Sequence, residues 1–182
     1  MFHRFLAAAA IATLAVTAPA LAALKVGDKA PDFTLQASLG GTVSTFHLAD
    51  ALKNGPVVLY FYPAAFTTGC TIEAHMFADA IPDYKKLGAT VIGVSHDDIE
   101  KLNKFSVSEC RSKFAVAADT DQAVMKAYDA VLTRAPQYAN RTSYVIAPDG
   151  TILYTYTNLQ PDKHVENTLA AVRAYDAAHP AH

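Results

Sequence analysis

The stretch richest in reactive possibilities is Tyr62-Pro63-Ala64-Ala65-Phe66-Thr67-Thr68-Gly69-Cys70-Thr71-Ile72-Glu73. Its cysteine falls where a loop turns into a helix. Such a cysteine faces backbone N–H groups without ladder partners and the positive end of the helix dipole. Both favour thiolate over thiol, and the thiolate is the nucleophile. The residues ahead of it, Pro56 to Tyr62 (PVVLYFY), form a continuous apolar run rich in β-branched and aromatic side chains. That run predicts a central strand buried on both faces. In open α/β sheets, ligands bind outside the carboxyl ends of such strands, and Cys70 falls there. Position alone leaves a second reading equally open, in which Cys70 is one more small buried apolar residue.

The elements that must hold this stretch follow along the chain. Asp32 to Ser38 predicts a short strand, Gly40-Gly41 a turn, and Thr42 to Phe46 a returning strand. Cys70 to Leu87 predicts a helix with Gly88 as its cap, kinked or divided at Pro82. Ala89 to Ser95 (ATVIGVS) is a second buried strand. Asp97 or Asp98 can cap a helix running to about Lys113. Ala115 to Ala118 predicts a short strand, and Asp121 to Ala130 a helix. Thr142 to Ala147 and Thr151 to Thr157 flank Pro148-Asp149-Gly150 and predict a hairpin. Pro161 suits the first residue of a final helix ending near His179. The order predicts an α/β domain, a mixed central sheet with helices on both faces.

Composition agrees with one globular domain. The 182 residues are 52% hydrophobic and 18% charged, with 15 basic and 17 acidic side chains. A net charge of −2 gives no electrostatic case for nucleic acid. Two cysteines exclude a disulfide scaffold and a Cys₄ zinc site. The seven histidines offer no ligand spacing, since Cys70 and His75 lie five apart and His47, His96 and His164 are scattered. No metal and no cofactor are therefore expected. Residues 1–22 have the pattern of a cleavable leader, with Arg4, an apolar run from Phe5 to Thr17, Pro19 and an Ala20-Leu21-Ala22 site. The run is too short to span a bilayer. The expectation is cleavage after Ala22 and a mature domain of residues 23–182 that is periplasmic or secreted, away from the membrane, in a compartment that permits disulfides.

PAAFTTGC also fits the P-x-x-x-T-x-x-C signature of the peroxiredoxins, with Pro63, Thr67 and Cys70 in register. The surroundings resemble that family too: VGDKAPDFTL, VVLYFYP, CTIEA and NRTSYVIAPDG, in order, from about Val26 to Asn158. The pattern GCT-x-E is similar to the PrxQ-like, or bacterioferritin-comigratory, branch. The resemblance implies a thioredoxin-like fold and a peroxidatic Cys70, whose thiolate attacks a peroxide oxygen to give a sulfenic acid. It implies that the Thr67 hydroxyl bonds the thiolate and the peroxide, and that Pro63 shields the site. It assigns the family's arginine to Arg141, which favours thiolate and steadies the stretched O–O bond, with Glu73 orienting the guanidinium. Arg134 lies outside the matched stretch. Tyr62 and Phe66 flank the motif and are expected to line the pocket.

The chain departs from the branch in one consequential way. A resolving cysteine often follows the nucleophile by five residues, where this chain has His75. Others of the branch place it in the helix after the second buried strand, and Cys110 sits there. Helical geometry puts Cys110 about 20° from Ile99, so partial shielding is expected. The resemblance thus implies a Cys70–Cys110 disulfide, formed after local unwinding because the Cα atoms must come within about 7 Å. Cys110 as an inert thiol, or as half of a structural disulfide, remains open. The implied partners are a hydroperoxide substrate and a thioredoxin-like reductant, and a monomer is expected. Two other functions compete. One is a disulfide oxidoreductase, although the C-x-x-C that it normally uses is absent because residue 73 is Glu73. The other is a non-enzymatic periplasmic module with a structural disulfide.

Overall fold

The computed structural model describes residues 24–180, so the expected leader and its expected cleavage site lie outside the described residues. Among the described residues, seven strands form one sheet in the order β2-β1-β5-β4-β3-β6-β7. They are β1 (Thr34–Leu39), β2 (Thr42–His47), β3 (Val57–Phe61), β4 (Thr90–Ser95), β5 (Ala115–Ala118), β6 (Thr142–Ile146) and β7 (Ile152–Thr157). β3, β4 and β5 run parallel, and β1, β2, β6 and β7 extend the sheet antiparallel. Among the described residues, five helices, α1 (Leu48–Leu52), α2 (Thr68–Lys86), α3 (Ile99–Ser108), α4 (Ala123–Ala127) and α5 (His164–Ala178), cover it. This is a thioredoxin-like fold.

Strand alternation divides the core. Val58, Tyr60 and Tyr62 point to one face, where they meet Ala74, Phe77, Phe105 and Val172 of α2, α3 and α5. Val57, Leu59 and Phe61 point to the other, against Leu48, Leu52, Val124 and Met125 of α1 and α4. All five β3 residues are buried, as a strand covered on both faces requires.

Several boundaries differ from those the sequence predicts. α2 begins two residues before Cys70 and passes unbroken through Pro82. Proline removes one ladder bond, but Pro82 lies on the exposed side while Ile81 and Tyr84 anchor the helix in the core. Gly88 follows the end of α2 with φ +66, as a terminating glycine should. α3 stops at Ser108 instead of reaching Lys113, because Arg111 and Ser112 take left-handed φ values of 50° and 55°. α4 is confined between left-handed Gln122 and Asp129. α5 starts at His164, after a turn closed by the His164 N–H donating to the Pro161 carbonyl at 3.2 Å.

Candidate active site

Two features of the chain bring the site together. The buried residues of α2 are Cys70, Glu73, Ala74, Phe77, Ala78, Ile81 and Tyr84. This spacing defines one helical face, so packing the apolar part of α2 carries Cys70 and Glu73 inward together. β6 pairs antiparallel with β3, with Thr142 opposite Phe61. Arg141 is therefore level with Tyr62, at the carboxyl end of β3 where the loop to α2 departs.

Cys70 is the third residue of α2, still in its first turn, and 2% exposed. The first ladder bond is from the Thr71 N–H to the Thr67 carbonyl, 2.9 Å. Arg141, 3% exposed, is held at all three nitrogens. Its Nη2 donates to Cys70 Sγ at 3.5 Å, Nη1 donates to Glu73 Oε2, and Nε donates to the Leu159 carbonyl at 2.9 Å. Those three bonds fix the guanidinium plane against the sulfur. Gly69 leaves room for it, since a Cβ there would lie 3.1 Å from Nη2. Arg134, the competing arginine, is exposed on a loop.

Glu73 is fully enclosed, and its Oε1 has no partner. Burial raises its pKa to about 8 against the opposing pull of Arg141. For Arg141, burial works against the charge, but Glu73 and the Cys70 sulfur outweigh it and the pKa rises. His164 lies 3.8 Å from Glu73 Oε1. Burial depresses its pKa to about 4 and Arg141 adds to that, while its bond to Asn158 opposes the shift.

The loop before α2 is held from β4. The buried carboxylate of Asp97 accepts from the Ala65 N–H at 2.7 Å, from Ser95 Oγ at 2.8 Å and from Lys101 Nζ at 2.6 Å. Asp98, not Asp97, caps α3 by accepting from the Lys101 N–H. Thr67 is the N-cap of α2, and its hydroxyl donates to the Ala64 carbonyl at 2.9 Å. The sequence expectation that this hydroxyl bonds the sulfur is not met. Its proton is committed, and its lone pairs are left to accept. Pro63 is half-buried at the start of the loop. Tyr62 does not line an open pocket. It lies in the core, stacked 5.7 Å from Phe105. Phe66 is exposed, packs edge-on against Phe105, and has a left-handed φ of 67°.

Cys110 is not on a helix. It lies two residues past the end of α3 and is wholly buried rather than partly shielded. Its backbone is pinned by N–H donation to the Phe105 carbonyl at 3.0 Å. Burial pushes its thiol pKa up, with Glu109 adding to the effect. It belongs to the same core cluster as Cys70, Tyr60 and Tyr62, and both cysteines are free. The residues on either side of Cys110 pair with α2. His75 Nε2 lies 2.9 Å from Glu109 Oε2, and Arg111 Nη1 lies 2.6 Å from Asp79 Oδ1. Among the described residues, no group of three or more His, Cys, Asp or Glu side chains could hold a metal ion.

Over residues 26–155 the sequence matches the AhpC/TSA family. This chain belongs to that family. It is 38% identical over 148 residues to the chloroplastic peroxiredoxin Q of Triticum aestivum, covering 81% of this chain and 66% of the wheat protein. The Arabidopsis thaliana chloroplastic peroxiredoxin Q is 36% identical over 149 residues, covering 81% and 67%. The chain thus spans about two thirds of the length of these plant relatives. Among solved structures it is similar to the peroxidoxin BcpB of Mycobacterium tuberculosis (TM-score 0.75, 32% identity, 83% of this chain and 97% of that one). It is also similar to a cysteine-to-serine mutant of Xylella fastidiosa PrxQ (TM-score 0.75, 26% identity, 85% and 98%). Within the AhpC/TSA family the chain is therefore a PrxQ-like peroxiredoxin.

Gly69 and the Leu159 carbonyl were not singled out from sequence, and Asp97 and His164 were weighed only as a helix cap and as a scattered histidine.

Proposed function

We propose that this chain is a thiol peroxidase with Cys70 as nucleophile. The observation that carries this reading is a buried cysteine sulfur receiving a hydrogen bond from a guanidinium whose other two nitrogens are fixed by Glu73 and the Leu159 carbonyl. The thiolate attacks one oxygen of a hydroperoxide, and the O–O bond breaks. Sulfur keeps the attacked oxygen as a sulfenic acid, and the departing oxygen takes a proton and leaves as water or alcohol. Arg141 lies where negative charge gathers as the O–O bond stretches. Thr67 Oγ1, with its own proton on Ala64, accepts from the peroxide O–H. Pro63 limits water at the sulfur.

Cys110 then attacks the sulfenic acid, releasing water and forming a Cys70–Cys110 disulfide. A thioredoxin-like dithiol reduces that bond and returns both thiols. Burial of Cys110 and its pairing to α2 mean that local opening precedes this step. Because residues 1–22 read as a leader, the reductant is a dithiol protein of the receiving compartment.

Mass spectrometry after one equivalent of hydrogen peroxide tests the sequence of events. Wild type should lose two hydrogens as a Cys70–Cys110 link, and Cys110→Ser should gain one oxygen on Cys70. Cys70→Ser should consume no peroxide. Peroxide loss that persists in Cys70→Ser would refute the assignment. Full turnover of Cys110→Ser with a dithiol, without a mixed disulfide at Cys70, would remove the resolving role.

A further inference from the structure

We propose that His164 is a positioning residue for the peroxidatic site, acting through the segment that holds Arg141. The inference rests on the peroxidase reading above. His164 opens α5 and is fully buried. Its Nε2 lies 2.8 Å from the Asn158 carbonyl and its Nδ1 lies 2.8 Å from Ser143 Oγ. A carbonyl can only accept, so Nε2 carries the proton. Nδ1 then accepts from the Ser143 hydroxyl.

These two bonds join both sides of the Arg141 mount. Ser143 lies two residues beyond Arg141 on β6. Asn158 donates its N–H to the Arg141 carbonyl at 3.1 Å and precedes Leu159, whose carbonyl accepts from Arg141 Nε. The imidazole therefore clamps β6 to the turn after β7. With the clamp in place, the Leu159 carbonyl fixes the guanidinium plane and Nη2 faces the sulfur. Without it, the Asn158 carbonyl loses its buried donor, and the turn carrying Leu159 is held to β6 by the Asn158 N–H bond to the Arg141 carbonyl without the imidazole's second tie.

Three variants test this on the Cys110→Ser background, where oxidation stops at the sulfenic acid. His164→Leu keeps bulk and removes both bonds. His164→Gln supplies one donor and one acceptor. Ser143→Ala removes one bond and keeps the imidazole. Two rates are measured on each: sulfenic acid formation with hydrogen peroxide, and Cys70 alkylation by iodoacetamide, which has no O–O bond to polarise. His164→Leu should lose about tenfold or more in the peroxide rate, the size of one weakened charge-assisted hydrogen bond. Its alkylation rate should change by less than about threefold. His164→Gln should recover most of the peroxide rate, and Ser143→Ala should fall between. If His164→Leu does not fold, Ser143→Ala and His164→Gln decide by the same ratio of rates. A peroxide rate unchanged in the folded variants overturns the inference, as does an equal fall in both rates. Failure of the parent protein to react with peroxide would instead overturn the peroxidase reading.

Discussion

Gly69→Ala separates the positioning of Arg141 from the stability of the helix that carries Cys70. Gly69 is the second residue of α2, with no left-handed φ, so alanine meets no backbone strain there. In a helix, alanine is favoured over glycine by up to about 1 kcal/mol, and less near the end. Folding stability should stay level or rise. The new Cβ, however, would lie 3.1 Å from Arg141 Nη2 and 4.0 Å from Cζ. The guanidinium must retreat by a few tenths of an ångström, and its other nitrogens are tied to Glu73 and Leu159. The retreat falls on the bond to Cys70 Sγ, already 3.5 Å long. A hydrogen bond to a charged group contributes about 1.5–3 kcal/mol, and losing roughly half of it slows sulfenic acid formation about tenfold. Rapid quenching with an alkylating agent and intact-mass detection gives the rate, and urea denaturation gives the stability. A peroxide rate within twofold of wild type would refute the reasoning. So would a rate loss accompanied by more than about 1 kcal/mol of destabilisation.

Arg141→Lys should lower the peroxide rate about 100-fold, because one ammonium cannot serve the sulfur, Glu73 and the Leu159 carbonyl at once; stopped-flow peroxide consumption checks it. The double variant His75→Ala/Asp79→Ala removes both pairs flanking Cys110, each worth at most about 1 kcal/mol at such exposed positions. Disulfide formation should then speed up a few-fold with the sulfenic acid rate unchanged, read by timed acid quench; an unchanged disulfide rate removes the pairs from the opening step. His164, near 4 folded against 6.5 unfolded, contributes stability that is complete above pH 6.5 and lost as pH falls toward 4, whereas Glu73, near 8 against 4.5, contributes stability complete below pH 4.5 and lost as pH rises toward 8. These slopes oppose each other between pH 4.5 and 6.5, so urea titrations of His164→Gln should unmask a fall in stability with rising pH there, and profiles parallel to wild type would count against both assignments.

The strands, the loop and the Pro148-Asp149-Gly150 hairpin were legible because apolar runs and turn residues report backbone state directly. The early end of α3 was not. No glycine stands in Glu109–Lys113, and the chain instead turns Arg111 and Ser112 into left-handed conformations that cost energy and leave no mark in residue type. The position of Cys70 after β3 left a reactive and an inert reading equally open, and nothing in position pointed to its partner arginine. Arg141 and Glu73 are 68 residues apart, and only the family pattern joined them before the β3–β6 register did. His164 and the Leu159 carbonyl were illegible for a further reason. One works as a buried clamp without ligand spacing, and the other is a backbone oxygen that any residue would supply.

The arrangement also accounts for how one buried cysteine could react and then leave. In the thiolate state the Arg141–Cys70 bond is charge-assisted, and the first turn of α2 is held by it as well as by the core. On the proposed peroxidase reading, sulfenic acid formation removes the charge from sulfur, so an ion pair becomes a weaker hydrogen bond from the charged guanidinium to a neutral acceptor. Farther along α2, Phe77, Ile81 and Tyr84 keep the helix in the core, and opening is confined to its first turn. On the other side, Cys110 is followed by two left-handed residues and flanked by pairs that contribute little. On that reading, the chemistry loosens the segment that carries the oxidised sulfur, while the two pairs flanking the buried second thiol add little to what holds it.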